Sequence, residues 1–331
     1  MSCLQDWPEQ IVRVQSLSDS SLPVIPGRYV KPPSERPSIE SGADTEINIP
    51  LIDLGGLVGD DSLRATTMRH ISDACKDWGF LQIVNHGISP DLMHQVREVW
   101  RQFFHLPIEL KQVYANSPAT YEGYGSRLGV EKGAILDWSD YFFLNYLPMS
   151  QKDHNKWPAL PTSCRELIDK YCDQLVKLCG TLMKVFSINL GLGEKYLQNA
   201  FGGEDIGACL RANLYPKCPQ PDLTLGISPH SDPGGMTLLL PDDHVTGLQV
   251  LSNAIYKSVE HRVIVNSVKE RISLAFFYNP QSDLLIEAAK ELMTADRPAL
   301  YSPMTYNEYR LYIREKGLCG KSQMDSLKSL G

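Results

Sequence analysis

Three stretches of this chain carry residues that could hold a metal with an anion beside it. The first is His230-Ser231-Asp232, a histidine and a carboxylate two positions apart. A second histidine follows at His261, and an Arg-x-Ser pair, Arg271 and Ser273, begins ten residues later. Two imidazoles and one carboxylate suit Fe(II) and leave coordination positions open for a cosubstrate and O2. An H-x-D pair is weak evidence by itself. His261, between Glu260 and Arg262, reads more readily as a surface strand histidine when taken alone.

Strands must position these groups, because alternate side chains of a strand face opposite ways. Arg211, Asn213 and Tyr215 share one face, with Ala212 and Leu214 behind them. His230 and Asp232 share a face of their own strand. Arg271, Ser273, Ala275 and Phe277 share another, opposed to the apolar Ile272, Leu274 and Phe276. Convergence of the polar faces would make a pocket with metal ligands, a guanidinium, hydroxyls and an aromatic wall.

Upstream, the chain reads as mostly helical. Residues 1–46 are rich in Pro, Ser and charge and predict an arm over the body, with one helical candidate at Glu9–Leu17. A short strand is expected at Ile49–Leu54, a helix over Ser62–Trp78, and a buried strand at Phe80–Val84 closed by an Asn85-His86-Gly87 turn. Leu92, Val96, Val99 and Phe103 recur at helical intervals after Pro90, where an N-terminal proline is tolerated. A strand is expected around Trp138–Tyr146, and a long helix over Cys164–Leu190 ending at glycines. From Leu210 to Tyr278 short strands and turns dominate, so the fold class is α+β with the strands in a barrel or sandwich.

Bulk properties narrow the function. The 331 residues, 43% hydrophobic and 21% charged, suffice for a large core. A net charge of −7 argues against nucleic acid as a partner. The first residues do not read as a signal peptide, and no stretch has the length and apolarity of a membrane span. Eight scattered cysteines without a C-x-x-C pair read as reduced thiols of a cytoplasmic protein, with the nucleus as a second location.

Four motifs together resemble the plant 2-oxoglutarate/Fe(II)-dependent dioxygenases. They are Asn213-Leu-Tyr-Pro-Lys-Cys-Pro-Gln-Pro221, His230-Ser-Asp232, Ser258-Val-Glu-His-Arg-Val263 and Arg271-Ile-Ser-Leu-Ala-Phe-Phe-Tyr-Asn-Pro280. Trp78-Gly79-Phe80 and Asn85-His86-Gly87 extend the likeness towards the N-terminus. The resemblance implies a double-stranded β-helix (jelly-roll) core over 205–285, preceded by a helical region over 47–200 and followed by a C-terminal helix and tail over 286–331. It implies iron held by His230, Asp232 and His261. It also implies 2-oxoglutarate held by Arg271 through a planar two-pronged contact, with Ser273, Tyr215 and Asn213 beside it. In such enzymes the 2-oxo acid is decarboxylated to succinate, O2 is consumed and a substrate C–H is hydroxylated; ascorbate supports turnover.

Within that family the nearest likeness is to the jasmonate-induced oxygenases. It rests on Trp7-Pro8-Glu9, the run from Asn116 through Tyr121-Glu122-Gly123-Tyr124-Gly125-Ser126-Arg127-Leu128-Gly129, Asp137–Tyr141, and Tyr309–Arg314. The implied substrate is jasmonic acid, a small apolar carboxylic acid, met by a monomer. Arg211, Arg310 and Arg314 are the candidate carboxylate clamp, and Phe143 and Phe277 the candidate apolar wall. Arg310 and Arg314 stand four apart on an expected helix, an unfavourable pairing unless an anion lies between them. Flavonoid or other specialised-metabolite oxidation, of the anthocyanidin synthase or flavonol synthase type, is the rival enzyme reading.

One interval departs from the family pattern. His230 and His261 are closer than in family members by roughly two dozen residues, about two strands with their turns. The gap falls between Val250 and Leu251. Loss of two strands predicts unpaired edges, an opened core, exposed apolar surface and weak binding of Fe(II) and 2-oxoglutarate. The third reading is therefore a catalytically impaired product of a shortened chain.

Overall fold

The computed structural model describes residues 7–37, 49–250, 259–295, 298–299 and 301–316. A short helix α1 (Val14–Asp19) opens it, five residues later than the helical spacing predicts. Its first two residues, Val14 and Gln15, donate their N–H groups to the buried Asp140 carboxylate at 2.9 and 2.8 Å. This long-range cap, absent from the local sequence, sets where the helix starts. Two strands, β1 (Leu51–Asp53) and β2 (Gln82–Val84), pair in parallel and flank helix α2 (Asp61–Asp77). Strand β2 is half-exposed rather than buried as expected, because its sheet has only these two strands.

Helix α3 (Pro90–Phe104) has Pro90 in its first turn and buries Leu92, Val96, Val99, Trp100, Phe103 and Phe104 along one stripe. Helix α4 (Ile108–Gln112) and strands β3 (Gly123–Gly125) and β4 (Asp140–Leu147) follow. The longest helix, α5 (Cys164–Asn189), ends at Gly191 with φ of 73°, and α6 (Tyr196–Ala200) leads into the strands.

Six strands then form the core: β5 (Gly207–Tyr215), β6 (Ile227–His230), β7 (Met236–Leu240), β8 (Leu248–Val250), β9 (His261–Val263) and β10 (Arg271–Asn279). A five-stranded sheet runs β3-β4-β5-β10-β7, and a three-stranded sheet runs β6-β9-β8. A two-stranded ladder of β11 (Leu285–Ile286) and β12 (Met304–Thr305) precedes helix α7 (Tyr306–Lys316).

Strand alternation divides the larger sheet as expected. Phe142, Leu144, Leu210, Ala212, Leu214, Ile272, Leu274 and Phe276 join the helices in one buried cluster with Ile71, Trp100 and Leu175. That core therefore draws on both the helical region and the jelly-roll strands. A second cluster lies between the sheets and the arm: Val14, Ile25 and Tyr29 pack with Trp138, Tyr215, Ile227 and Val263.

Both sheets are paired on either side of the shortened interval. A jelly roll of eight strands in two sheets is represented by six among the described residues. Strands β7 and β8 each have one neighbour there and form one edge of their sheets, β3 and β6 forming the other. The pairs β5–β10 and β6–β9, which carry the candidate ligands, are both formed across the shorter interval.

Candidate active site

Strands β6 and β9 pair antiparallel with His230 opposite His261. Their rings tilt together at 4.3 Å between centroids. Asp232 lies just past β6, its Oδ1 3.5 Å from His230 Nε2 and 3.8 Å from His261 Nε2. The three residues offer ligand atoms within 4.8 Å of one another, the sole such group of histidine, cysteine and acidic residues among the described residues. The shorter interval leaves His261 opposite His230, because β6 and β9 are direct neighbours.

Each imidazole is oriented from behind. His230 Nδ1 lies 2.9 Å from the Ser228 carbonyl, and His261 Nδ1 lies 3.1 Å from the Val259 carbonyl. Proton donation there leaves both Nε2 lone pairs facing the gap, which is how metal-ligating histidines are held. Burial, with the neighbouring His230, pushes the His261 pKa down, which favours the neutral ring. Burial would raise the Asp232 pKa, but the hydrogen bond with His230, the neighbouring His261 ring and the Thr237 hydroxyl together hold it at about 2. Two neutral nitrogens and one carboxylate oxygen fit Fe(II), with positions left for other ligands. Phe80 packs edge-on against His261 at 5.6 Å between centroids. Sequence reasoning assigned Phe80 no role here.

The cosubstrate candidates form a neighbouring cluster on β5 and β10. Arg271 is paired with Tyr215 and Ser273 with Asn213 across the ladder. Arg271 is 4% exposed, its guanidinium 5.1 Å over the Tyr215 ring. Its Nε donates to the Val245 carbonyl at 3.2 Å and its Nη1 to Ser273 Oγ at 3.4 Å. No carboxylate of the described residues pairs with it. The buried Asn213 Oδ1 likewise has no hydrogen-bond partner in the structure. An unneutralised buried guanidinium beside a hydroxyl and free amide capacity fits an incoming dicarboxylate.

Next to the metal group lies a cavity of about 180 Å³. It is lined by His230, Asp232, Arg211, Phe143, Phe277 and Arg310, among others. Of the five substrate candidates, four therefore share one cavity with two of the metal candidates. The side chain of Arg314, the fifth, lies outside the described residues. The α7 face turned to the cavity carries Tyr306, Arg310 and Ile313. Arg310 donates to Asn307 Oδ1 at 3.1 Å, while its buried Nε has no partner. Arg211 stacks 4.2 Å over the ring of Tyr141, a second lining residue given no role by the sequence. Its strand parity with Phe143 is the signal that could have found it. His86 stays a turn residue: Asn85 and Gly87 have positive φ, and Ile88 N–H donates to His86 Nδ1. No helix of the described residues is long and apolar enough to cross a membrane.

Comparison with known proteins gives the site its context. Residues 49–160 match the non-haem dioxygenase in morphine synthesis N-terminal family, and residues 206–254 and 246–280 match the 2OG-Fe(II) oxygenase superfamily in two pieces. The chain is 58% identical to Jasmonate-induced oxygenase 3 of Arabidopsis thaliana, covering 99% of each, over an alignment of 361 positions that exceeds the chain's own 331 residues. It is 36% identical to Leucoanthocyanidin dioxygenase of Malus domestica, covering 90% of this chain and 93% of that protein. A crystal structure of JOX2 in complex with 2OG, Fe and JA superposes with a TM-score of 0.91 at 56% identity, covering 98% of this chain and 99% of that one. Motifs, metal geometry and likeness over nearly the whole length agree: the chain belongs to the 2OG-Fe(II) oxygenase superfamily, in the group of the jasmonate-induced oxygenases, and is an iron- and 2-oxoglutarate-dependent dioxygenase.

Proposed function

We propose that this dioxygenase hydroxylates jasmonic acid, lowering the level of a defence hormone. The observation that carries the reading is the single cavity in which Arg211 and Arg310 face Phe143 and Phe277 beside His230 and Asp232. Two arginines suit a carboxylate, and two phenyl rings suit an alkyl body. Arg314, four positions after Arg310 in the sequence, is the third arginine assigned to the carboxylate. The likeness to JOX2 in complex with 2OG, Fe and JA supports the same assignment.

In this reading His230, Asp232 and His261 hold the iron, while Arg271, Ser273, Tyr215 and Asn213 hold the 2-oxoglutarate. The bound metal and 2-oxo acid supply the oxidising power, drawn from O2 and a decarboxylation. The chain's own part is positional. The arginine end fixes the acid, and the phenylalanines seat its body so that one C–H lies beside the metal group. Phe80 and the cavity walls keep the reacting region apolar. The chain acts as a monomer in the cytoplasm, with access to the nucleus.

Succinate release tests the proposal with jasmonic acid, with a flavonoid and with no prime substrate. Stimulation by jasmonic acid alone is expected. Equal or greater stimulation by the flavonoid would sink the substrate assignment in favour of the flavonoid reading. No stimulation by either would favour the impaired product.

A further inference from the structure

Two stretches shared with the jasmonate-induced oxygenases, Trp7-Pro8-Glu9 and Asn116–Gly129, have no part in the chemistry above. In the fold they meet. Glu9 Oε1 accepts from Arg127 Nη1 at 2.6 Å, from Arg28 Nη2 at 2.7 Å and from Gly133 N–H at 3.2 Å. Arg127, fully shielded at its side chain, also donates to the carbonyls of Gly129 and Glu131. One carboxylate from the arm thus gathers a loop that gives Leu128 and Gly129 to the substrate cavity. Trp7 reaches the same region, stacking edge-on against Tyr121 at 5.4 Å and donating to the Asn116 carbonyl at 3.1 Å.

Both contacts end on one side chain. The Tyr141 hydroxyl donates to the Arg127 carbonyl at 2.8 Å and accepts from Asn116 Nδ2 at 2.9 Å. It is pinned from two sides, by the two residues that Glu9 and Trp7 hold. The approach is close enough that a side chain at Gly125 would run into Asn116 Nδ2 and the Tyr141 hydroxyl. The face of the pinned ring carries the Arg211 guanidinium at 4.2 Å. Arg211 Nε has no hydrogen-bond partner in the structure, so the ring is the fixed surface against which this arginine is oriented.

The geometry points to Glu9, with Trp7, as a positioning residue for substrate. Through Arg127 and Asn116 it fixes Tyr141, and through Tyr141 it aims Arg211 at the carboxylate of the acid. This inference rests on the reading of Arg211 as a substrate arginine. The arm is thereby part of the specificity apparatus for an anionic substrate.

A double-mutant cycle tests it. Calorimetry under anoxia, with Fe(II) and 2-oxoglutarate bound, measures binding of jasmonic acid and of its uncharged methyl ester. The proteins are the unaltered full chain, Glu9→Gln, Arg211→Ala and the double variant. Glu9→Gln is expected to weaken the acid about tenfold and leave the ester within about twofold. With Arg211 already removed, Glu9→Gln should change acid binding by less than about twofold. Equal losses for acid and ester, additive effects, or no effect of Glu9→Gln would overturn the positioning role. An unchanged acid affinity in Arg211→Ala would instead overturn the substrate reading itself, and this inference with it. Should Glu9→Gln fold poorly, Tyr141→Phe removes only the pinned hydroxyl. The same acid-selective loss is expected there, and its absence would refute the relay.

Discussion

Arg271 allows function and stability to be pulled in opposite directions. The residue is buried, contacts Val245, Ser273 and Tyr215, and has no carboxylate partner among the described residues. Holding such a charge out of water costs the fold, and apolar replacements of buried charges are often neutral or stabilising. A bound dicarboxylate offsets that cost through two charge-assisted hydrogen bonds, each worth about 1.5–3 kcal/mol. Arg271→Met keeps most of the stem and deletes the fork. A net loss of about 3–4 kcal/mol corresponds to roughly 10²–10³-fold weaker 2-oxoglutarate binding. Arg271→Lys retains charge without the planar fork and should fall between the two. Anaerobic titration of 2-oxoglutarate into the Fe(II)-loaded protein measures the affinity, and thermal unfolding without ligand measures the stability. The ligand-free Met variant is expected to unfold at or above the temperature of the unaltered chain. Retention of affinity within about threefold, or a matching fall in thermal stability, would refute the reasoning.

Other perturbations follow from the fold. Phe276, fully buried behind the site in the main core, should cost about 3–5 kcal/mol when replaced by alanine, read from the urea midpoint. Asp60 caps α2 by accepting from Leu63 N–H at 2.9 Å, so Asp60→Ala should cost about 1 kcal/mol and leave 2-oxoglutarate affinity unchanged. Hydrogen bonds from Arg127 and Gly133, aided by the Arg28 charge, hold the Glu9 carboxyl at about 2, below its ordinary 4.5. A depressed carboxyl stabilises fully above the ordinary value and loses that contribution as pH falls from 4.5 towards 2. Denaturation of the unaltered chain and Glu9→Gln should therefore differ most at neutral pH and converge in acid; a constant difference across that window would contradict the assignment. The thiols of Cys164, Cys172 and Cys179 are all pushed up by burial, so alkylation at pH 8 should await unfolding, as time-resolved mass measurement would reveal.

Local periodicity carried much of this in advance. The two faces of β5 and β10 follow from residue parity alone, so Arg211, Asn213, Tyr215, Arg271, Ser273 and Phe277 could be put on the site side from the sequence. The bounds of α3 were legible for a similar reason: Pro90 marks the start and four apolar residues mark the stripe. Contacts between distant elements left no such trace. Phe80 meets His261 from a loop before β2, and Glu9 meets Arg127 across more than a hundred positions. Neither periodicity nor propensity encodes such encounters. The number of residues between His230 and His261 does not by itself decide whether they meet, because pairing is set by which strands are neighbours and not by the length of chain between them. The start of α1 was missed because its cap, Asp140, comes from β4.

The outward position of β7 and β8 has a consequence for how this enzyme can be altered. Every candidate metal and cosubstrate residue sits on β5, β6, β9 or β10, or just beyond β6, while β7 and β8 are edge strands that carry none of them. These two edges are therefore open to extension while the ligand set keeps its register: a foreign strand or hairpin added against β7 or β8 would have the catalytic strands as the fixed frame for the graft.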